Sequence, residues 1–113
     1  MKITIKTTHF AHTPALENYV NEKIGRLDRY LKNLQLAKVE LEYLSEHKTK
    51  EKFRAEANID APGHVFYAES WARDMYAAVD LLEEKLIAQM DKFKEKRIQK
   101  NKKVIRKIKE DFI

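Results

Sequence analysis

Apolar and polar residues alternate along four short stretches of the chain, as they do in strands that bury one face. The alternating inward positions are Ile3, Ile5 and Thr7, then Val39, Leu41 and Tyr43, then Phe53, Ala55, Ala57 and Ile59, and finally Phe66, Ala68 and Ser70. Between the last two stretches, Ala61-Pro62-Gly63-His64 has the composition of a tight turn. We therefore predict four strands, of which the last two form a hairpin.

A fifth stretch repeats apolar residues every three or four positions, from Leu16 to Leu31, which is the spacing of an amphipathic helix. Thr13-Pro14 precedes it and has the composition of an N-cap followed by proline at the first helical position. Asn33 is a suitable residue to follow the helix end. The pattern predicts a helix over residues 14–31.

A sixth stretch begins near Arg73 or Asp74 and carries an apolar stripe from Met75 to Phe93. No proline or glycine follows Gly63, so the helix either continues toward Lys109 or frays after residue 97. The order β-α-β-β-β-α predicts an α+β fold with a four-stranded sheet and both helices on one face. We expect one domain over residues 1–97 and a basic extension over residues 98–113.

The charge of the chain is concentrated at its C-terminal end. The net charge is +5, and between Lys85 and Lys109 the acids are Asp91 and Glu95 alone. Such a block favours a polyanionic partner, with RNA, DNA and an anionic membrane surface all open at this point. The chain has no cysteine, and we found neither a signal sequence nor a membrane span, so we expect a cytoplasmic protein.

Both helices separate their charges around the apolar stripe. At about 100° per residue, Lys85, Lys92 and Lys96 lie within roughly 20° of one another and border the stripe of the second helix. Lys103 extends this row if the helix continues. On the first helix, Lys23 and Arg26 lie to one side of the stripe. We therefore expect the two sets of cations to form one shared basic edge, free of acidic residues.

The face of the sheet that points away from the helices is predicted to be mainly acidic, because Glu40, Glu42, Glu56 and Asp60 alternate with the buried residues. Trp71 also points outward, where it either stacks on a partner or packs at the sheet edge. RNA should avoid this face. Recognition is expected to run through phosphates and helical shape, which favours a structured RNA.

Several segments resemble the ribosome hibernation-promoting factor family, which includes the ribosome-associated inhibitor also called protein Y. They are Thr13-Pro14-Ala15-Leu16, Val20-Asn21-Glu22-Lys23-Ile24-Gly25-Arg26-Leu27, Pro62-Gly63, Asp74-Met75-Tyr76-Ala77-Ala78-Val79-Asp80, and Lys85-Leu86 followed by Lys92, Lys94 and Lys96. The likeness covers about residues 3–97 and corresponds to the short form of the family.

The resemblance implies a translation inhibitor that is not an enzyme and needs no cofactor. It would bind the rRNA of the small ribosomal subunit in the mRNA and tRNA channel and stabilise inactive ribosomes under stress or in stationary phase. The rRNA-binding positions that it implies are Lys23, Arg26, Arg29, Lys85, Lys92 and Lys96, with Tyr76, Lys94, Lys100 and Lys103 as further candidates. We expect the small subunit or whole ribosome as partner, and a monomer when free.

This chain departs from the family pattern at two places. Ala88 stands where relatives commonly carry an arginine, which removes one expected phosphate contact. In a continuous α-helix, Arg29 would also lie about 60° beyond Arg26, away from the other cations. The basic tail matches no family feature. It leaves two alternatives open: a general structured-RNA binder, or a protein-interaction module that acts through the tail.

Other functions have weaker support in the sequence. His9 and His12 are three residues apart but have no further ligands nearby, so we predict ordinary loop histidines rather than a metal site. His47 and His64 look like turn or surface residues. No nucleophile signature surrounds Ser70, which agrees with a protein that is not an enzyme.

Overall fold

The computed structural model describes the backbone of residues 1–111 and the side chains of residues 1–96. Its elements follow the predicted order. They are β1 (Lys2–Thr8), α1 (Pro14–Gly25), a 3-10 turn (Arg26–Arg29), β2 (Leu36–Tyr43), β3 (Phe53–Ala61), β4 (His64–Ala72) and α2 (Met75–Asp111). The predicted α+β class is confirmed.

The first helix begins as the sequence predicts and ends earlier. The side chain of Thr13 accepts a hydrogen bond from the backbone N–H of Leu16 at 3.2 Å, and Pro14 occupies the first helical position. The α-helix ends at Gly25, and residues 26–29 continue as a 3-10 turn. The predicted extension to Leu31 is therefore wrong, because glycine weakly supports a helix and final turns readily tighten to 3-10 geometry.

The four strands form one mixed sheet in the order β1-β2-β3-β4. β1 pairs with β2 in parallel, whereas β2, β3 and β4 pair antiparallel. A parallel pair needs a crossover between its strands, and α1 supplies it. β1 and β4 are therefore the two edges of the sheet.

The turn between β3 and β4 contains only Pro62 and Gly63, because Ala61 and His64 already pair across the strands. Gly63 has a φ of 71°, a conformation that glycine adopts without steric cost. Proline followed by a glycine with positive φ is the sequence of a type II turn. The predicted hairpin is confirmed, and this end of the sheet is called the hairpin end below.

The core lies between the sheet and the two helices, where the predicted stripes meet. Leu16, Val20 and Ile24 of α1 and the stripe of α2 from Met75 to Met90 are buried against the inward residues of the strands. The one polar residue that is fully buried there is Ser70, among the described side chains. Its hydroxyl donates to the carbonyl oxygen of Ala78 at 2.6 Å and so joins β4 to α2.

α2 runs back along the sheet from the end opposite the hairpin. The carboxylate of Asp74 accepts a hydrogen bond from the N–H of Ala77 at 2.9 Å and caps its first turn. At about 1.5 Å per residue, the helix reaches the hairpin end near Phe93, and it continues unbroken to Asp111. The division of the chain at residue 97 stays a prediction, since the backbone helix passes through it.

The open face of the sheet differs from the expectation of a mainly acidic surface. Lys2, Lys6 and Lys38 share it with the carboxylates, because they alternate with the buried residues of β1 and β2. Near its centre, Arg54 pairs with Glu56 and lies 2.9 Å from Glu69. The prediction was wrong because it weighed the acids of β2 to β4 and omitted the lysines of β1 and β2.

Candidate nucleic-acid interface

Three of the predicted cations lie exposed along one flank of α2, and we call Lys85, Lys92 and Lys96 the lysine row. Lys85 fixes the place of the row in the fold, since its ammonium group donates to the carbonyl oxygen of Glu69 at 2.6 Å. One turn further on, the amide of Gln89 donates to the carbonyl oxygen of Tyr67 at 2.5 Å. The row therefore lies over β4, the edge strand.

Lys85 and Gln89 also have a structural role at this edge. The outward carbonyl groups of an edge strand have no partner strand, and a side chain that donates to them satisfies them and blocks further strand pairing. Sequence reasoning did not find Gln89 as a partner of β4. Its spacing of four residues from Lys85 was the available signal, because residues four apart share one face of a helix.

The cations of α1 lie on the other side of α2. The ammonium group of Lys23 is 3.4 Å from a carboxylate oxygen of Asp80. The guanidinium group of Arg26 donates to both carboxylate oxygens of Glu83, from Nε at 3.3 Å and from Nη2 at 3.2 Å. We call the contact between α1 and α2 that these pairs form the seam.

The expectation of one shared, acid-free basic edge is therefore wrong. Asp80 and Glu83 lie about 140–160° around α2 from Lys85, so the seam and the lysine row occupy opposite flanks of the helix. The seam carries both signs of charge. Of the two surfaces, the lysine row alone keeps the single sign of charge that was predicted for both.

The seam pairs follow from a match between the two helices that the sequence contains. Lys23 and Arg26 are three residues apart, as are Asp80 and Glu83, and α1 and α2 run in the same direction. Because the spacing is equal and the two helices are parallel, one alignment of α1 against α2 allows both ion pairs to form. Sequence analysis separated the charges of each helix correctly but did not place one helix against the other.

Two tyrosines complete the seam near the start of α2. The hydroxyl of Tyr19 donates a short hydrogen bond of 2.5 Å to Asp80, and the Tyr19 and Tyr76 rings meet edge to face with centroids 4.9 Å apart. The hydrogen bond to Asp80, then burial and the nearby negative charges, raise the pKa of Tyr19 to about 12. Tyr76, a candidate RNA contact, is 43% exposed and therefore both packs and remains accessible.

Arg29 and Lys94 lie together at the hairpin end, beyond the seam. In a 3-10 turn, residues three apart lie on the same side, so Arg29 follows Arg26 more closely than an α-helix would place it. The ammonium group of Lys94 lies 5.8 Å from the centroid of the Tyr30 ring, a cation–π contact. Lys94 therefore belongs to the α1 side of α2 and not to the lysine row.

The remaining candidates divide between the surface and the tail. Ala88 is exposed next to the lysine row, where it adds no charge. The side chains of Lys100 and Lys103 lie outside the described residues.

Trp71 stacks on His47, with centroids 3.8 Å apart, and donates from Nε1 to Glu69 at 2.8 Å. It packs at the sheet edge, as one of the two expectations had it.

Two other kinds of site are absent from the described part of the chain. Among residues 1–96, no three His, Cys, Asp or Glu side chains lie close enough together to hold a metal ion. In the described part of the chain, no helix is both long and apolar enough to cross a membrane. The distribution of cations on the helices is thus the main chemical feature of this part of the chain.

The fold and the position of its cations define a small two-layer α+β protein with a basic helical surface. Residues 3–98 match the family model described as sigma 54 modulation protein / S30EA ribosomal protein. The chain belongs to this family, which consists of ribosome hibernation factors and not of enzymes.

Curated relatives and a solved structure agree with this assignment. The chain is 41% identical over 80 residues to a ribosome hibernation promoting factor of Acidithiobacillus ferridurans, covering 71% of this chain and 100% of that protein. It is 37% identical to the factor of the same name from Azotobacter vinelandii, covering 88% and 89%. The N-terminal domain of Thermus thermophilus protein Y superposes with a TM-score of 0.70 at 33% identity, covering 82% and 99%.

Proposed function

We propose that this protein binds rRNA of the small ribosomal subunit in the mRNA and tRNA channel, where it inhibits translation and stabilises inactive ribosomes under stress or in stationary phase. The compartment would be the cytoplasm, where ribosomes are found, and the free protein would be a monomer. The observation that carries the proposal is the lysine row, an exposed flank of a rigid helix with one sign of charge.

The lysine row has the dimensions and chemistry of a phosphate-binding surface. From Lys85 to Lys96 it extends about 16 Å, which is enough to reach several phosphates of one RNA helix. Lys85 is held in place by the carbonyl oxygen of Glu69, and the flexible stems of Lys92 and Lys96 remain exposed. A rigid helix that presents lysines at regular spacing favours a structured RNA over a base sequence.

The seam would contribute a second, weaker set of contacts. Arg26 is 39% exposed in its side chain although it pairs with Glu83, so a phosphate can approach the guanidinium group from the outside. The Lys23 side chain is 22% exposed and is partly neutralised by Asp80. Arg29 is exposed and forms no ion pair with an acid among residues 1–96, which makes it the freer cation of this helix end.

Sedimentation with ribosomes tests the proposal. The triple variant Lys85→Glu/Lys92→Glu/Lys96→Glu should lose binding to ribosomes, because it reverses the charge of the whole lysine row. A matched control is Lys38→Glu/Lys48→Glu/Lys50→Glu, which changes net charge equally at exposed lysines away from the helices. The control should keep most of its binding. Equal losses in both variants would mean that overall charge, and not the lysine row, determines binding.

Salt dependence gives a second measurement on the same samples. Each phosphate that is contacted should lower the logarithm of affinity by about 0.7–0.9 per unit logarithm of salt concentration. At low salt, where residual binding of the lysine-row variant is measurable, the slope for the wild type should exceed that of the variant by the contribution of about two to three phosphate contacts. An identical slope would remove these lysines from the interface.

A further inference from the structure

Beyond the proposed rRNA surface, the hairpin end of the molecule has three depressions that the sequence did not predict. The largest, of about 460 Å³, lies between the end of the 3-10 turn and α2. Arg29, Lys32 and Lys94 bring cations to it, and the Tyr30 ring forms part of its wall. Its volume falls within the range of small-ligand pockets.

A second depression, of about 270 Å³, lies on the opposite flank of α2. His64, Lys92 and Lys96 line it, together with the ring of Phe93. The centroid of Phe93 is 4.8 Å from that of His64, so the two rings form one aromatic wall beside the end of the lysine row.

The third depression, of about 350 Å³, lies between the other two. It shares Lys32 with the first and Phe93 with the second, and Pro62 of the hairpin turn forms its far side. The three depressions therefore lie side by side around the point where α2 leaves the sheet. We call this set of depressions the hairpin track.

The hairpin track has a single sign of charge. None of the residues that line its three parts is an aspartate or glutamate, within the part of the chain whose side chains are described. By contrast, the depression on the open face of the sheet carries both signs of charge, with Glu40 and Glu56 beside Lys6 and Lys38. A groove with cations and no opposing carboxylates, interleaved with aromatic rings, has the chemistry that binds single-stranded nucleic acid.

We propose that the hairpin track binds an unpaired segment of RNA, with Lys32 and Tyr30 as contacts that no family pattern supplied. This inference rests on the proposed function, since it concerns the same RNA partner. Phosphates would lie along the cations of the groove, and bases would contact the accessible ring edges and faces of Tyr30 and His64. Tyr30 is 36% exposed, which leaves its ring within reach of a base.

The shape of the track favours a single strand over a duplex. Lys92, Phe93 and Lys94 are consecutive residues, so their side chains spread over about 200° of the circumference of α2. A stiff RNA duplex can touch one side of this helix at a time. A flexible strand can follow the curve and meet the cations on both flanks, and so connect the lysine row to Arg29.

An acidic peptide is the competing ligand, because it also complements a basic groove. The aromatic walls favour RNA, since bases stack on rings and glutamate side chains do not. The test therefore measures three labelled probes by fluorescence anisotropy on the full chain: an oligouridylate of about 12 nucleotides, an RNA duplex of about the same length, and a polyglutamate peptide of about the same charge.

The variants Lys32→Gln and Tyr30→Leu test the track directly. Tyr30→Leu should weaken binding of oligouridylate about fivefold or more, since a stacked ring contributes about 1–3 kcal/mol and fivefold equals about 1 kcal/mol. Lys32→Gln should also weaken it and lower its salt dependence by about one phosphate contact, because it removes a cation from the track. Duplex binding should change by less than about twofold, because the duplex uses the lysine row. Matched controls are Tyr30→Phe, which keeps the ring, and Lys48→Gln, which removes one charge at the opposite end of the sheet.

Three results would overturn the inference. These are unchanged oligouridylate affinity in both track variants, equal losses in Tyr30→Phe and Tyr30→Leu, or a polyglutamate peptide that binds as tightly as the oligouridylate. Ribosome sedimentation of the same variants separates this failure from failure of the proposed function. If the wild type sediments with ribosomes and one of these three results is found, the track alone is refuted. A wild type that does not sediment with ribosomes refutes the proposed function.

Discussion

Arg26 and Glu83 join the end of α1 to α2 by a two-point contact, with both carboxylate oxygens accepting from the guanidinium group at 3.2 and 3.3 Å. The side chain of Glu83 is only 12% exposed, and its charge lies beside the cations of α1 that we propose as RNA contacts. This carboxylate limits how strongly Arg26 attracts a phosphate. If the seam contacts RNA as proposed, its ion pairs hold the two helices in place and lower the attraction of Arg26 for a phosphate.

The first prediction concerns this carboxylate. Glu83→Gln should raise affinity for total RNA about two- to fivefold at low salt, because it releases a cation from a neighbouring negative charge. It should cost about 1 kcal/mol or less of folding stability, since the pair is partly exposed. Glu84→Gln is the matched control. Glu84 is the next residue along the helix and is exposed, so this variant removes the same charge without touching Arg26. Equal gains in both variants would show that Arg26 is not restrained by Glu83.

The second prediction concerns alkaline pH. The pKa of Tyr19, raised to about 12 from 10.0, means that the folded state holds its phenolic proton more tightly than the unfolded state does. This stabilisation is fully present below pH 10 and is lost as pH rises through about 12. Urea unfolding at a series of pH values should therefore show a decline above pH 10 that is smaller in Tyr19→Phe.

Tyr30→Phe provides the comparison for that experiment, because it also removes one phenol but leaves the hydrogen bond between Tyr19 and Asp80 intact. It should decline with pH as the wild type does. The phenolate absorbance of the folded wild type should also include one tyrosine that titrates near 12 and that is absent from Tyr19→Phe. Indistinguishable curves for the two variants would contradict the assignment.

The third prediction compares the two glycines. At Gly25, with a φ of −60°, an added Cβ would meet only the side chain of Ile3 at 4.0 Å. Gly25→Ala should stabilise the fold by about 0.5–1 kcal/mol, because alanine restricts the unfolded chain. At Gly63 there is space, but φ is +71°, so Gly63→Ala should destabilise by about 1–2 kcal/mol. Urea titration measures the free energy of unfolding of both variants. Equal changes in the two would contradict the explanation by backbone conformation.

Local sequence patterns were sufficient to predict the strands, the hairpin and the buried stripes of the helices. The alternation around Ala55 and Ala57 identifies a strand, and Pro62-Gly63 identifies the turn, because each depends on a few neighbouring residues. The end of α1 was harder to predict. Leu27 is buried as the helical stripe requires, but it lies in a 3-10 turn, whose side chains can continue an apolar stripe without continuing the α-helix.

The arrangement of the candidate site depended on long-range packing that local patterns do not encode. Lys23 and Lys85 are both on the polar side of an apolar stripe, and the sequence could not tell which flank of α2 would face α1. The crossover between β1 and β2 places α1 beside Asp80 and leaves Lys85 over β4. Lys32, a contact that we propose in the hairpin track, could not be predicted from the sequence, because a lone loop lysine has no periodic signal.

Binding to separated ribosomal subunits tests the central claim most directly. The labelled wild-type protein and its variant with three glutamates in the lysine row would be mixed with purified small and large subunits and centrifuged through sucrose gradients. The account predicts that the wild type migrates with the small subunit and that the variant stays at the top of the gradient. A wild type that migrates with the large subunit, or a variant that still migrates with the small one, would contradict it.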